Sequence, residues 1–162
     1  MAMKDKIEKT NVMRLLDQKK ISYESYCYVD TGVVSGPDVA TVLNQNPDKV
    51  FKTLVTIGGK TKQNYVFVLP VNKELDLKKA AAAVGEKSIE MIKSKELLPL
   101  TGYIHGGCSP IGMKKLFKTV IHEAAKTFET IYFSAGKIGY QVEVAVSDIE
   151  RVIPFTFADV TV

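Results

Sequence analysis

Thr101–Met113, reading TGYIHGGCSPIGM, concentrates the residues of this chain best suited to chemistry. Gly102, Gly106, Gly107 and Gly112 crowd into it, and Pro110 fixes its exit. Glycine loses more backbone entropy on folding than other residues, so such a cluster needs a tight turn or a close approach to a ligand. Ser134–Gly139, reading SAGKIG, has the same character. Val50–Leu54, reading VFKTL, sets a lysine among apolar neighbours. A carbonyl under attack develops negative charge on its oxygen, and fixed N–H donors or an ammonium stabilise it. Two glycine loops and one embedded lysine point to a small pocket for an anion or an ester. Taken singly, turns between strands and a solvated strand lysine explain the same features.

Other reactive side chains fall into no working constellation. Cys108 and His105 stand three positions apart in a glycine loop, with no acid nearby to orient the histidine. His122 precedes Glu123 but belongs to no HExxH pattern, which excludes a zinc peptidase of that type. Cys27 and Cys108 have no CxxC spacing and read as free thiols. Two cysteines and two histidines are too few for a dense structural zinc site. No metal and no cofactor is expected.

The elements that must position these loops alternate along the chain. Met3–Lys19 reads as a helix, with Ile7, Val12, Leu15 and Leu16 on one face. Ile21–Val29 alternates as a strand. Ser35, Pro37 and Asp38 start a short helix that runs through Leu43, and Asn44–Asp48 is a loop. Val50–Ile57 and Asn64–Val71 form a hairpin around Gly58–Gly59. Leu75–Val84 is helical, with Asp76 near its start and Gly85 past its end. Short strands follow at Ser88–Met91, Thr119–His122, Thr130–Ser134 and Tyr140–Val146, then a last helix over Ser147–Ile153 capped by Ser147. No linker or repeat interrupts this order. The expectation is one domain over residues 1–162, of α/β (α+β) class, with a mixed, mostly antiparallel, barrel-like sheet surrounded by helices.

Composition bounds the partners. The chain has 162 residues, 46% hydrophobic and 25% charged, which suits one globular domain with its own core. Met1–Arg14 is charged throughout and does not read as a signal peptide. No apolar stretch is long enough to span a bilayer, so a cytoplasmic protein without membrane contact is expected. A net charge of +4 permits contact with a short stretch of nucleic acid. Lys114, Lys115 and Lys118 form the densest basic group, with Lys78 and Lys79 second; each serves equally well as a solvated face.

VFKTL, LDLKKAA, TGYIHGGCSPIGMKK, TIYFSAGKIG and VEVAVSDI, in this order, resemble the YbaK/EbsC family. Members are aminoacyl-tRNA deacylases related to editing domains of bacterial prolyl-tRNA synthetase. The likeness covers roughly Leu15 to Asp159 and is densest from Val50 to Ile149. It implies the barrel-like sheet with packed helices, and removal of cysteine from mischarged Cys-tRNA(Pro), in some members also from Cys-tRNA(Cys). It implies aminoacyl-tRNA as a partner through its acceptor end, and in some members prolyl-tRNA synthetase. A monomer is the default.

The resemblance also assigns roles. Lys52 matches the family's functional lysine and is the expected catalytic residue; an ammonium there would hold the terminal phosphate or ribose, orient the ester or offset transition-state charge. Thr53 matches a position near the substrate, although in a regular strand it points away from the side of Lys52. Ser134 matches a serine facing the pocket; with no histidine and acid in relation to it, hydrogen bonding to substrate is the expected role. Tyr28 aligns with a tyrosine near the pocket, with half-buried strand packing as the equal alternative. The two glycine loops themselves offer Gly106, Gly107, Ala135 and Gly136 as candidate backbone donors. In the family the substrate's own thiol can attack its ester carbonyl, releasing a thiolactone and free tRNA. Such chemistry needs no protein nucleophile, in keeping with the missing triad. One departure stands out. Many members carry an acid after the second glycine loop, as in GLDIE, where this chain reads GYQVE and places Gln141. Three further readings stay open: a deacylase for another amino acid such as Ala-tRNA(Pro), a non-catalytic module that binds tRNA or a synthetase, and, with less support, a phosphate-binding protein.

Overall fold

The computed structural model describes residues 8–162. Thr10 caps the first helix, α1 (Asn11–Gln18), its hydroxyl accepting from the Met13 N–H at 3.3 Å. Val12, Met13 and Leu16 turn inward from it. Of the helix expected over Met3–Lys19, the described residues show Asn11–Gln18, with Glu8–Thr10 outside it; Met3–Ile7 lie outside the described residues.

Among the described residues eight strands form two sheets. The smaller sheet is antiparallel, with β7 (Tyr140–Ala145) between β1 (Tyr23–Cys27) and β6 (Thr130–Ser134). The larger has the order β4 (Ile89–Met91), β2 (Phe51–Gly58), β3 (Asn64–Pro70), β5 (Lys118–His122), β8 (Thr156–Ala158). β2 and β3 make the expected hairpin, in register from Phe51↔Pro70 to Ile57↔Asn64. β5 and β8 join it in parallel. Among the described residues a single parallel bridge, Val50↔Tyr132, connects the sheets. The α+β class is as expected, but the sheet does not close into a barrel.

Strand periodicity explains where the core sits. Along β7, Tyr140, Val142 and Val144 face inward, packed with Ile131 and Phe133 of β6. Gln141 and Glu143 take the opposite face. β3 is buried on both sides, which is why it reads as a near-continuous apolar run. Val66 and Val68 join the main core, while Tyr65, Phe67 and Leu69 pack on Ala80, Ala81 and Val84. Those alanines belong to α3 (Leu77–Val84), held by the Asp76 carboxylate, which accepts from Lys78 and Lys79 N–H groups at 3.0 and 3.1 Å.

Three elements differ from expectation. α2 (Gly36–Val42) follows the Ser35 cap as read, but α4 (Ser94–Thr101) carries Pro99 inside it and was not anticipated. Strand β8 was not anticipated either. The last helix, α5, spans only Val146–Ile149 and has no side-chain cap among the described residues; Ser147 lies inside it, and the Val146 N–H donates to the Glu129 carbonyl at 2.9 Å.

Candidate active site

The functional geometry starts with an incomplete strand pairing. β2 pairs with β3 along its whole length but with β4 only at Thr56–Gly58. Among the described residues no strand pairs with the other edge of Phe51–Leu54, and a cavity of about 210 Å³ runs along it. Val50 to Leu54 make one wall. Phe133, Ser134 and Gln141 of the smaller sheet make another. Tyr28, the Val34–Gly36 turn and the first glycine loop close it. The cavity thus occupies the cleft between the two sheets.

This position resolves the problem of Lys52 and Thr53. Their side chains leave β2 on opposite faces, yet both line the cavity because it follows the strand's edge rather than one face. No bulge is needed, since the β2–β3 register is regular. Lys52 is half-buried, and that loss of solvent lowers its pKa; the Glu74 carboxylate offsets part of the effect. The Thr53 hydroxyl is fully buried and has no hydrogen-bond partner among the described residues. A buried hydroxyl left unpaired is costly.

The candidate backbone donors separate into two groups. Gly106 lines the cavity at φ +88°, and its N–H has no partner among the described residues. A Cβ there would meet the Val34 Cγ1 at 2.6 Å, so only glycine allows this approach. Gly107, Ala135 and Gly136 stand outside the lining. Their N–H groups donate to the Ile104 carbonyl (2.9 Å), the Tyr140 carbonyl (3.0 Å) and the Ser134 hydroxyl (3.1 Å). The second glycine loop therefore shapes the β6–β7 turn and fixes Ser134. Gly136 itself takes φ +88° against Tyr103 and Val12.

Tyr28 is buried at the cavity wall, its N–H donating to the Gly139 carbonyl at 2.7 Å. Burial pushes its phenol upward, leaving a neutral donor. Cys108 and His105 also reach the cavity, which their sequence spacing did not indicate. Burial pushes the Cys108 thiol up to about 12, which withholds the thiolate a nucleophile requires. Gln141, which the sequence singled out only as a departure, lines the wall and is 3% exposed. Among the described residues no group of three or more His, Cys, Asp or Glu side chains could hold a metal ion.

A cleft that joins a partly desolvated ammonium, an unpaired hydroxyl and a free backbone N–H is equipped for an oxygen that gains charge. Residues 32–152, which contribute every one of these groups, match the model of the aminoacyl-tRNA editing domain. The chain belongs to that family. It is 46% identical over 162 residues to an Enterococcus faecalis protein, EbsC, covering 99% of this chain and 98% of that one. EbsC is provisionally named a Cys-tRNA(Pro)/Cys-tRNA(Cys) deacylase. Solved structures agree on the fold. One described as a provisional trans-editing enzyme for prolyl-tRNA synthetase superposes with a TM-score of 0.80 at 19% identity, covering 93% of this chain and 94% of that one. Another, hypothetical protein APE2540, gives 0.82 at 18% identity, covering 96% and 100%.

Proposed function

We propose that this member of the editing-domain family deacylates cysteinyl-tRNA, Cys-tRNA(Pro) and Cys-tRNA(Cys), acting apart from the synthetase that charged it. The full-length likeness to EbsC carries this reading, and the cavity chemistry supports it. The ester enters along the free edge of β2. Lys52, the Thr53 hydroxyl and the Gly106 N–H offset charge on the carbonyl oxygen. Ser134 and Tyr28 position the acyl group and the terminal nucleoside. The attacking group is the substrate's own thiol. Its sulfur bonds to the carbonyl carbon, the carbon–ribose oxygen bond breaks, and the thiol proton ends on the ribose hydroxyl. The raised Cys108 thiol favours this assignment over a protein thiolate.

A domain with no dense basic run contacts few phosphates, so tRNA binding is modest and salt-sensitive. Choice among tRNAs then falls to a partner such as prolyl-tRNA synthetase, and this chain acts as a monomer. Its substrate places it in the cytoplasm. Among the described residues no helix is long and apolar enough to cross a membrane. The test is deacylation of Cys-tRNA(Pro) and Ala-tRNA(Pro) by the wild type and Lys52→Ala. Loss of the cysteine ester alone, abolished in Lys52→Ala, is expected. Equal cleavage of the alanine ester overturns thiol assistance. No cleavage of either turns the reading to a tRNA- or synthetase-binding module.

A further inference from the structure

The cavity wall contains one polar arrangement that the proposed chemistry leaves unused. Gln141 on β7 and Gln45, in the turn after α2, form a reciprocal amide pair. The Gln45 Nε2 donates to the Gln141 Oε1 at 2.7 Å, and the Gln141 Nε2 donates to the Gln45 Oε1 at 3.0 Å. The two residues are 96 positions apart in sequence. Two bonds of opposite sense fix the rotation of both amides. Neither group can ionise.

The rest of the lining matters as much. Among the described residues no aspartate or glutamate lines the cavity, whereas Lys52 does. Glu143 shares the Gln141 face of β7 but is engaged away from the cavity. It accepts from the Tyr26 hydroxyl at 2.9 Å and the Thr130 hydroxyl at 2.5 Å, and Lys49 lies 3.9 Å away. Glu74 acts on Lys52 from outside the lining. A substrate α-ammonium would enter a partly dehydrated space that already holds an ammonium and offers no counter-charge. Such a site extracts little binding from the amino group, because an unpaired buried charge is costly.

We propose that the Gln45–Gln141 pair makes this pocket indifferent to the substrate's α-amino group, extending its substrates to thiol-bearing acyl esters of RNA that lack that group. Gln141 is the specificity-determining residue, and Gln45 positions it. The inference rests on the deacylase reading. The bond changes are the same: sulfur to carbonyl carbon, cleavage of the carbon–ribose oxygen bond, thiol proton to the ribose hydroxyl. Only the amino group is absent.

The experiment compares cysteinyl and 3-mercaptopropionyl esters of one tRNA. Each enzymatic rate is divided by the spontaneous rate of the same ester, which removes the intrinsic activation by the ammonium. A site built to hydrogen-bond a substrate N–H rejects the analogue lacking it by about 10⁴-fold or more; here the two accelerations are expected within about tenfold. Gln141→Glu restores a carboxylate that can still accept from the Gln45 amide. Its melting temperature reports that it folds, and its preference for the cysteinyl ester is expected to rise about 10- to 100-fold, as for a charge-assisted bond. A wild type that cleaves the cysteinyl ester but rejects the analogue by about 10³-fold or more overturns this inference while sparing the deacylase reading. A folded Gln141→Glu with an unchanged ratio also overturns it. A wild type inactive on both esters overturns the deacylase reading and this inference together.

Discussion

Replacing Thr53 by valine should make the protein more stable and the enzyme worse. The Thr53 hydroxyl is buried at the edge of β2 without a partner among the described residues. In the unfolded chain the same hydroxyl is hydrated, so folding bears the cost of stripping it, about 1–3 kcal/mol. Valine has nearly the same shape and no group to strip. Taking the low end, about 1 kcal/mol, a chain of this size should gain about 2–4 °C in Tm. When an ester is bound, the hydroxyl finds its partner, and a neutral hydrogen bond contributes about 0.5–1.5 kcal/mol. Its loss lowers kcat/KM by up to about tenfold, since 1.36 kcal/mol is a factor of ten. Thermal unfolding and steady-state deacylation of Cys-tRNA(Pro) measure the two effects on one preparation. Thr53→Ser, which keeps the hydroxyl, should retain the activity that valine loses. A valine variant with lower Tm and unchanged kcat/KM would refute the argument, because it would mean that Thr53 packs and does not bind.

Two pH predictions follow from burial. His122 is 8% exposed, and its Nδ1 accepts from the Val160 N–H at 3.2 Å, which requires that nitrogen to be unprotonated. Burial lowers its folded pKa below the ordinary 6.5, so the unfolded chain takes up the proton first. The stabilisation is complete above about pH 6.5 and lost as pH falls through the lower folded value. Urea midpoints should drop between pH 7.5 and 5.5 in the wild type and change less in His122→Asn; parallel curves would count against this pin. In the proposed role Lys52 is an ammonium, and burial sets its pKa below the usual 10.5, so kcat/KM, corrected for spontaneous hydrolysis, should fall as pH rises through that lowered value. Lys52→Arg should move the alkaline limb upward, and an unmoved limb would assign it to another group.

Local signals were the legible ones. Asp76 and Gly85 bracket α3 because a cap and a left-handed residue act within one turn of the chain. The β2–β3 hairpin announced itself through β-branched runs on either side of two glycines. Helix α4 was hidden by Pro99, which argues against helix unless the rest of the chain packs it. β8 exists because β5 offers it a parallel edge, and three residues carry no period of their own. The site divides along the same line. Lys52, Ser134 and Gly106 could be named from motifs. The place of Thr53 in the cavity wall depends on where β4 stops pairing, and the Gln45–Gln141 pair depends on a contact across 96 residues. The N–H groups of Ala135 and Gly136 looked available from composition, but the turn that glycine permits consumes them.

The single bridge between Val50 and Tyr132 has a mechanical consequence. Each sheet is stiff within itself, being stitched by ladders of hydrogen bonds, whereas the seam between them is held by side-chain packing. The cavity lies in that seam, so its width is set by side chains and not by a hydrogen-bond ladder. Exchanging a residue at the seam, such as Val50 or Phe133, changes how far apart the two walls stand and leaves both ladders intact. The size of acyl group admitted can therefore change without rebuilding either sheet, at the packing cost of exchanging a buried residue. One scaffold can be retuned from one amino acid to another by resetting a gap, with Lys52 and the Gly106 loop left in place.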